Sequence, residues 1–384
     1  MHVGPQSTVG DERRHAPRLL VLTPDFPPAP GGIQLLTHRV AAGMTGFQTT
    51  VLTFDAPGAA QFDASGGSLV TRRLPVGRLH GPARMAALNA AALAQAMRPR
   101  GRPEAILAAH IVTSPATAAI GRTLGIPVVQ YFHANEIGGK PRLAAFAARH
   151  ADATIAVSSY TASLIAATGA TPRALKLIPP GVDLPAAGPR ERAERPTILT
   201  VARLRDRYKG HDVLIEALAS IRAQVPAAEL VVIGDGPLRG ELEALADSAG
   251  VGGAVRFLGA VSDEERNRWL GRAHVFAMPS RLPEDGLAGE GFGIVYMEAA
   301  AYGLPVVAGS VAGALDAVAD GETGLLVDPT DPRAVAAAIA RLLLDGELAQ
   351  RLGLAGAARA AGFAWPLIAA RVEEVLMEQL RSLR

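Results

Sequence analysis

There is no cysteine among the 384 residues. That excludes disulfides, thiolate-held zinc, iron–sulfur clusters and thiol nucleophiles, and it suits a reducing compartment. Aromatic residues are scarce at 4%, and 38 Lys plus Arg against 36 Asp plus Glu leave a formal net charge of only +2. A nucleic-acid partner calls for a basic face and usually for stacking platforms, so none is expected. No apolar run approaches the ~20 residues of a membrane span; stretches such as Ala105–Val112 have strand length. Residues 1–16 are polar and lack the apolar core of a secretion signal. They read as a flexible tail, and the expected location is the cytoplasm.

Several catalytic signatures are missing too. Gly-x-Ser-x-Gly, His-Glu-x-x-His and Gly-x4-Gly-Lys-Ser/Thr do not occur, which leaves serine hydrolase, zinc protease and P-loop chemistry without support. There is no Asp-x-Asp, and none of the nine His residues forms a His-x-x-x-His pair. No metal and no cofactor is therefore expected.

What the chain does contain is a rhythm. Short apolar runs at Arg18–Thr23, Thr50–Phe54, Ala105–His110, Pro127–Phe132, Ala153–Val157 and Ala174–Ile178 alternate with Ala-rich helical stretches. This alternation predicts a parallel sheet covered on both faces. The charged, Pro-bounded run 188–196 interrupts it and reads as a linker. A second series follows, with strands at Thr197–Val201, Glu229–Gly234, Val255–Leu258, Val275–Met278, Pro305–Ala308 and Gly324–Val327. The expected organisation is an α/β protein of two doubly wound, Rossmann-like domains, 17–187 and 197–365. A terminal helix, 366–384, is expected to pack back on the first. Ligands of such sheets bind at the carboxyl ends of the strands.

Five features sit where those ends are expected. In Glu290-Gly-Phe-Gly-Ile-Val-Tyr-Met-Glu298 a Gly-rich turn feeds a helix, whose unpaired N–H groups and dipole favour a phosphate. Glu290 suits sugar hydroxyls and Glu298 a ribose diol; equally, Glu290 is a helix cap and Glu298 a solvated acid. Arg203 and Lys209, just past a strand, suit a departing diphosphate, or form a solvated turn. Gly234 and Gly236 resemble the start of a dinucleotide fingerprint, but Arg239 stands where its last glycine belongs. They read as a tight turn on the nucleotide side, or as a turn with no ligand. Gly31-Gly32 allows close backbone approach to a phosphate, and His133 at a strand end suits a sugar or the charge developing on its reactive carbon; each also has a purely structural reading.

Taken together, Glu290-x7-Glu298, Arg203 with Lys209, "PDFPPAPGGIQ" at 24–34, "PPGVD" at 179–183 and "GETGLLVDP" at 321–329 resemble the retaining glycosyltransferases of family 4. Val275–Ala299 and "VSSYT" at 157–161 are most similar to bacterial phosphatidylinositol-mannoside mannosyltransferases. The resemblance implies a GT-B fold with its two domains facing a central cleft, a nucleoside-diphosphate sugar donor, retention at the anomeric carbon and no obligatory metal. It implies that Arg203, Lys209 and Gly32 approach the diphosphate, and that Glu290 takes donor-sugar hydroxyls with backbone donors from Gly291, Phe292, Gly293 and Ile294. Glu298 would hold the ribose, His133 would face the sugar, and the base would lie near Gly234, Gly236 and Arg256. The reaction implied is hexose transfer, best matched by mannose from GDP-mannose, to a glycolipid, glycan or small-molecule acceptor. A UDP- or other sugar donor, a GT-B epimerase and a non-catalytic nucleotide-sugar module are the alternatives. Two departures stand out: Ala312-Gly-Ala-Leu-Asp316 where the family often has Gly-Gly-x-Pro-Glu, and His133-Ala-Asn-Glu136 where the mannosyltransferases often have His-Gly-His-Glu. Arg72, Arg73, Arg78, His80 and Arg84 form a basic cluster, suited either to solvent or to peripheral contact with anionic lipid head groups.

Overall fold

The structure is a computed structural model describing residues 16–382 except 66, 68, 76, 78, 79, 187, 189, 190 and 284–288. Nearly all of the tail expected at 1–16, Arg78, and parts of the 188–196 run therefore lie outside the described residues. The chain forms two compact units: one runs to Pro180 and resumes at Trp365, and the other is Gly181–Ala364.

In the first unit, β1 (Arg18–Leu22), β2 (Gln48–Phe54), β3 (Val70–Leu74), β4 (Ala105–Ala108), β5 (Val128–Phe132), β6 (Ala153–Ala156) and β7 (Leu175–Leu177) make one sheet. Its order is β3-β2-β1-β4-β5-β6-β7, with every pairing parallel. The central strands are buried on both faces, which is why they are continuous apolar runs rather than alternating ones. Alternate residues still divide between two cores. Leu19, Val21, Val51 and Leu107 face Leu36 and Val40 of helix Gly32–Gly43; Leu20, Leu22, Leu52 and Ile106 face Leu88 and Ala92 of helix Gly81–Ala96. Each such side chain contributes roughly 1.5–3 kcal/mol by leaving water. Ile368, Val372 and Leu376, four apart on helix Trp365–Ser382, join the first of these cores. Gly46 N–H also donates to Glu373 at 2.9 Å, so this last helix is an integral wall of the first unit.

The second unit holds β8 (Thr197–Val201), β9 (Glu229–Ile233), β10 (Val255–Gly259), β11 (Val275–Met278), β12 (Val306–Gly309) and β13 (Gly324–Val327). They form a parallel sheet in the order β10-β9-β8-β11-β12-β13. In both sheets the order reverses beside the first strand, between β1 and β4 and between β8 and β11. At such a point a crevice opens at the carboxyl ends.

Two expectations need correction. The units divide at Pro180/Gly181, ahead of the expected 188–196 linker: Val182 N–H donates to Phe363 and Ala193 N–H to Arg272, at 2.8 and 2.9 Å, tying both segments into the second unit. The strand β3 and the short helix Ala59–Ser65 are not among the expected elements, because Thr71-Arg72-Arg73 has no apolar periodicity. Its pairing to β2 and the inward Arg73–Asp63 ion pair at 2.7 Å supply what apolar periodicity does not.

Candidate active site

In the second unit the loop after β8 carries Arg203–Gly210. Leu204 anchors it, fully buried, with its N–H on Asp235 and its carbonyl taking Leu238 N–H, at 3.0 and 2.9 Å. Gly210 closes the loop in the left-handed region at φ 76°, where a Cβ would overlap the Pro279 carbonyl. The turn Arg207–Lys209 is held from the far side by Arg281, whose N–H donates to Tyr208 at 2.7 Å. The Arg281 guanidinium grips Asp212 through two bonds of 2.8 and 2.7 Å.

Lys209 is thereby aimed at Glu290, and the two form a hydrogen-bonded ion pair with each side chain only 15% exposed. Burial opposes the charge on Lys209, but Glu290 outweighs it and holds the ammonium pKa above its ordinary value. Glu290 is thus not the helix cap. That place belongs to Gly293, at φ 88°, where a Cβ would overlap the Tyr296 ring. Tyr296 is fully buried and donates to the Met278 carbonyl at 2.8 Å, fixing helix Ile294–Ala301 to the end of β11. Gly313 N–H donates to the Glu290 carbonyl at 2.9 Å, and a Cβ on Gly313 would overlap Gly291. The 290–293 turn is therefore braced from both sides.

Glu298 is not a solvated acid either. Its side chain is 18% exposed, 4.0 Å from Arg266. Burial pushes its pKa up against the pull of that guanidinium, with Asp183 and Asp263 adding to the rise. Arg203 stands apart, two-thirds exposed and 3.9 Å from Asp206.

Other expected contacts change meaning. The Phe292 side chain is core, stacked on Phe363 at 5.9 Å between centroids, so only its backbone remains for a ligand. Ile294 opens the helix behind it. Gly234 and Gly236 are glycines because Cβ atoms there would overlap the Ala202 and Leu204 carbonyls. Their N–H groups already donate, to Gly259 at 2.9 Å and to Asp235 at 2.8 Å. Arg256 is misplaced for a base contact. It is the second residue of β10, 3.7 Å from Glu229 at the start of β9 and over the Trp269 ring at 5.1 Å, towards the amino ends of the strands.

In the first unit Gly32 opens helix Gly32–Gly43, which has no capping side chain. His133 is 6% exposed, stacked on Tyr131 at 5.5 Å and bonded through Nε2 to the Ala109 carbonyl at 3.1 Å. Burial pushes its pKa down, and its ring is a structural pin rather than an exposed group. The more exposed imidazole is His110 at the end of β4, between Glu136 at 2.9 Å and Asp25 at 3.8 Å. Sequence reading passed over it as the last residue of a strand run, although that position was itself the signal.

The basic cluster is largely engaged within the unit. Arg73 is buried against Asp63, Arg72 donates to Gln95 and Arg84 lies over the Phe54 ring at 4.1 Å. Arg72 and His80 stay exposed, and Arg78 lies outside the described residues. Among the described residues no helix is long and apolar enough to cross a membrane.

Two parallel doubly wound sheets, each reversing its strand order beside its first strand, define a fold of GT-B type. Residues 30–185 match the family described as Glycosyltransferase Family 4, and residues 187–359 match Glycosyl transferases group 1. The chain belongs to the family 4 glycosyltransferases. It is 36% identical, over 94% of its length and 98% of the relative's, to the GDP-mannose-dependent alpha-(1-6)-phosphatidylinositol monomannoside mannosyltransferase of Mycobacterium tuberculosis H37Rv. To the enzyme of the same name from Mycolicibacterium smegmatis it is 34% identical, over 93% and 98%. The structure of Anabaena HepE in complex with UDP and glucose superposes with a TM-score of 0.77 at 22% identity, covering 94% of this chain and all of that one. Sucrose-phosphate synthase of Thermosynechococcus elongatus gives 0.78 at 23%, covering 96% and 100%.

Proposed function

We propose that this glycosyltransferase moves mannose from GDP-mannose onto a hydroxyl of a glycolipid of the phosphatidylinositol mannoside type, with retention and without a metal. The observation that carries this reading is the 36% identity, over nearly the full length of both chains, to a relative named for that donor and acceptor class. The site suits it. The Lys209 ammonium, kept charged by Glu290, stabilises the diphosphate as the bond from the mannose anomeric carbon to phosphate oxygen breaks. Arg203, solvent-facing, adds a second cation at the same strand end. Glu290 and the 291–294 backbone hold sugar hydroxyls, and Glu298 accepts from the ribose diol. The acceptor oxygen forms the new bond to the anomeric carbon, and its proton passes to the departing phosphate oxygen, so no side chain serves as base.

The test is incubation with GDP-mannose and phosphatidylinositol monomannoside in detergent, with UDP-glucose as the competing donor. The expected product carries one more mannose with the donor's α configuration by NMR, formed at the same rate in EDTA. Preference for UDP-glucose, an inverted product, or loss of activity in EDTA would each refute the corresponding part.

A further inference from the structure

At the carboxyl ends of the first sheet, Asp25 and Gln34 meet His110 and Glu136, which lie far away in sequence. Glu136, nearly buried, accepts the backbone N–H groups of His133 and Ile111, each at 3.0 Å. Its Oε2 also faces His110 Nδ1 at 2.9 Å. It thus ties the end of β5 to the end of β4. His110 Nε2 points the other way, 3.8 Å from Asp25 Oδ2 beyond the end of β1. The other Asp25 oxygen accepts Gln34 Nε2 at 3.2 Å. The imidazole therefore bridges a buried carboxylate and one whose side chain is 32% exposed. Nothing in the transfer chemistry above uses this arrangement.

We propose that Asp25 binds acceptor hydroxyls and that His110 is the positioning residue that aims it, the occupant being a polyol or sugar ring that offers adjacent hydroxyls. This rests on the transferase reading above. The charge argues for hydroxyls: two carboxylates flank one imidazole, so the cluster carries no surplus positive charge and an anion at this spot is repelled. Hydroxyls instead donate to the lone pairs that Gln34 and His110 leave on Asp25.

The imidazole has two hydrogen-bonding states. Protonated, Nδ1 donates to Glu136; deprotonated there, it accepts Val112 N–H, which lies at 3.2 Å. Burial works against the charge, but Glu136 and then Asp25 outweigh it, with Lys140 opposing, and hold the pKa of His110 above the ordinary histidine value. The neighbouring His133, pushed down by burial, stays neutral. As pH rises through the raised value, His110 loses its charge, and the attraction that aims Asp25 weakens to that of a neutral Nε2–H.

The experiment uses the full chain with GDP-mannose and phosphatidylinositol monomannoside. Asp25→Asn and His110→Asn are each expected to raise the acceptor KM about tenfold relative to the donor KM, the equivalent of one charge-assisted hydrogen bond. Both should lower the ratio of mannosyl transfer to GDP-mannose hydrolysis by a similar factor. The parent's kcat/KM for acceptor should fall on the alkaline side, a limb that His110→Asn removes; a purely structural histidine would not move that profile. An unchanged acceptor KM in Asp25→Asn, or an alkaline limb persisting in His110→Asn, overturns the proposal. If the parent neither hydrolyses nor transfers from GDP-mannose, the mannosyl reading has failed. Histidine-selective NMR then decides this one: His110 must titrate above the ordinary value, and Asp25→Asn must lower it. A His110 titration indifferent to Asp25→Asn overturns it.

Discussion

In the second unit the polar groups at the strand ends come from two continuous stretches, 203–210 and 290–298, each set by glycines that no other residue can replace without a clash. In the first unit they are single residues, Asp25, Gln34, His110 and Glu136, brought together from separate segments by hydrogen bonds across the ends of β1, β4 and β5. A local loop shapes its site with little help from distant strands, whereas a network of singletons is part of what joins those strands. Changes in the second unit's site should therefore fall on turnover, and changes in the first on stability as well.

Lys209→Ala should show the largest effect. Removing the buried cation from a developing diphosphate charge is expected to lower kcat by roughly 10²–10³. The urea midpoint should fall by less than the kinetic loss, since Glu290 loses its partner but the turn keeps its Arg281 and Gly210 supports. Kinetics and urea melts on the same variant test the contrast, and a stability loss outweighing the kinetic one would break it.

Glu136→Ala should do the reverse. It strands His110 and the N–H groups of Ile111 and His133, and breaking a buried ion pair from one side destabilises by about 3–4 kcal/mol. Burial alone would raise the Glu136 pKa, but His110 more than reverses that and holds it below the ordinary value, while His110 itself is raised. The pair's contribution is therefore full between the ordinary carboxylate and histidine values, and is lost as pH falls through the lowered Glu136 value or rises through the raised His110 value. The urea midpoint in water at neutral pH measures it.

His211, beside Lys209, supplies a pH test within the second unit. Burial first, then Lys209, pushes its pKa from 6.5 to about 4. Below pH 6.5 the unfolded chain takes up a proton that the folded chain refuses until about pH 4, so the unfolded state binds more protons and stability falls as pH drops. About 3 kcal/mol should be lost across that window. His211→Asn should flatten the curve of urea midpoint against pH; an equally steep curve in the variant would assign the loss to other groups.

The same contrast explains what could be read from the sequence. Doubly buried parallel strands must be apolar along their length, so β1, β4, β8 and β11 announce themselves, while the edge strand β3, with Arg72 and Arg73, does not. Glu290 and Glu298 were legible because glycines and a helix share their stretch. That Glu290 pairs with Lys209, 81 positions away, is a matter of strand order, which local spacing does not encode. Arg256 was misjudged for a related reason: a strand is easily found, but which end a residue occupies depends on a boundary of one or two positions. His133 and His110 both end strand runs, and only the bond to Ala109 and the contacts with Glu136 and Asp25 show that the first is pinned and the second faces outward.

The smallest expected effect concerns a departure from the family pattern. Ala312, at φ 54°, is the one non-glycine with positive φ among the described residues, and it precedes the Gly313 that braces Glu290. Holding a Cβ in the left-handed region costs about 1–2 kcal/mol. Ala312→Gly relieves that strain but gives up a buried methyl, about 0.8 kcal/mol, and adds about 0.5–1 kcal/mol of chain entropy. The terms nearly cancel, so its urea midpoint should stay close to the parent's. Ala308→Gly, fully buried on β12 with no positive φ, loses the same methyl with nothing to offset it and should destabilise by about 2 kcal/mol. Equal losses in the two variants would mean that Ala312 carries no strain and that the alanine there is only packing.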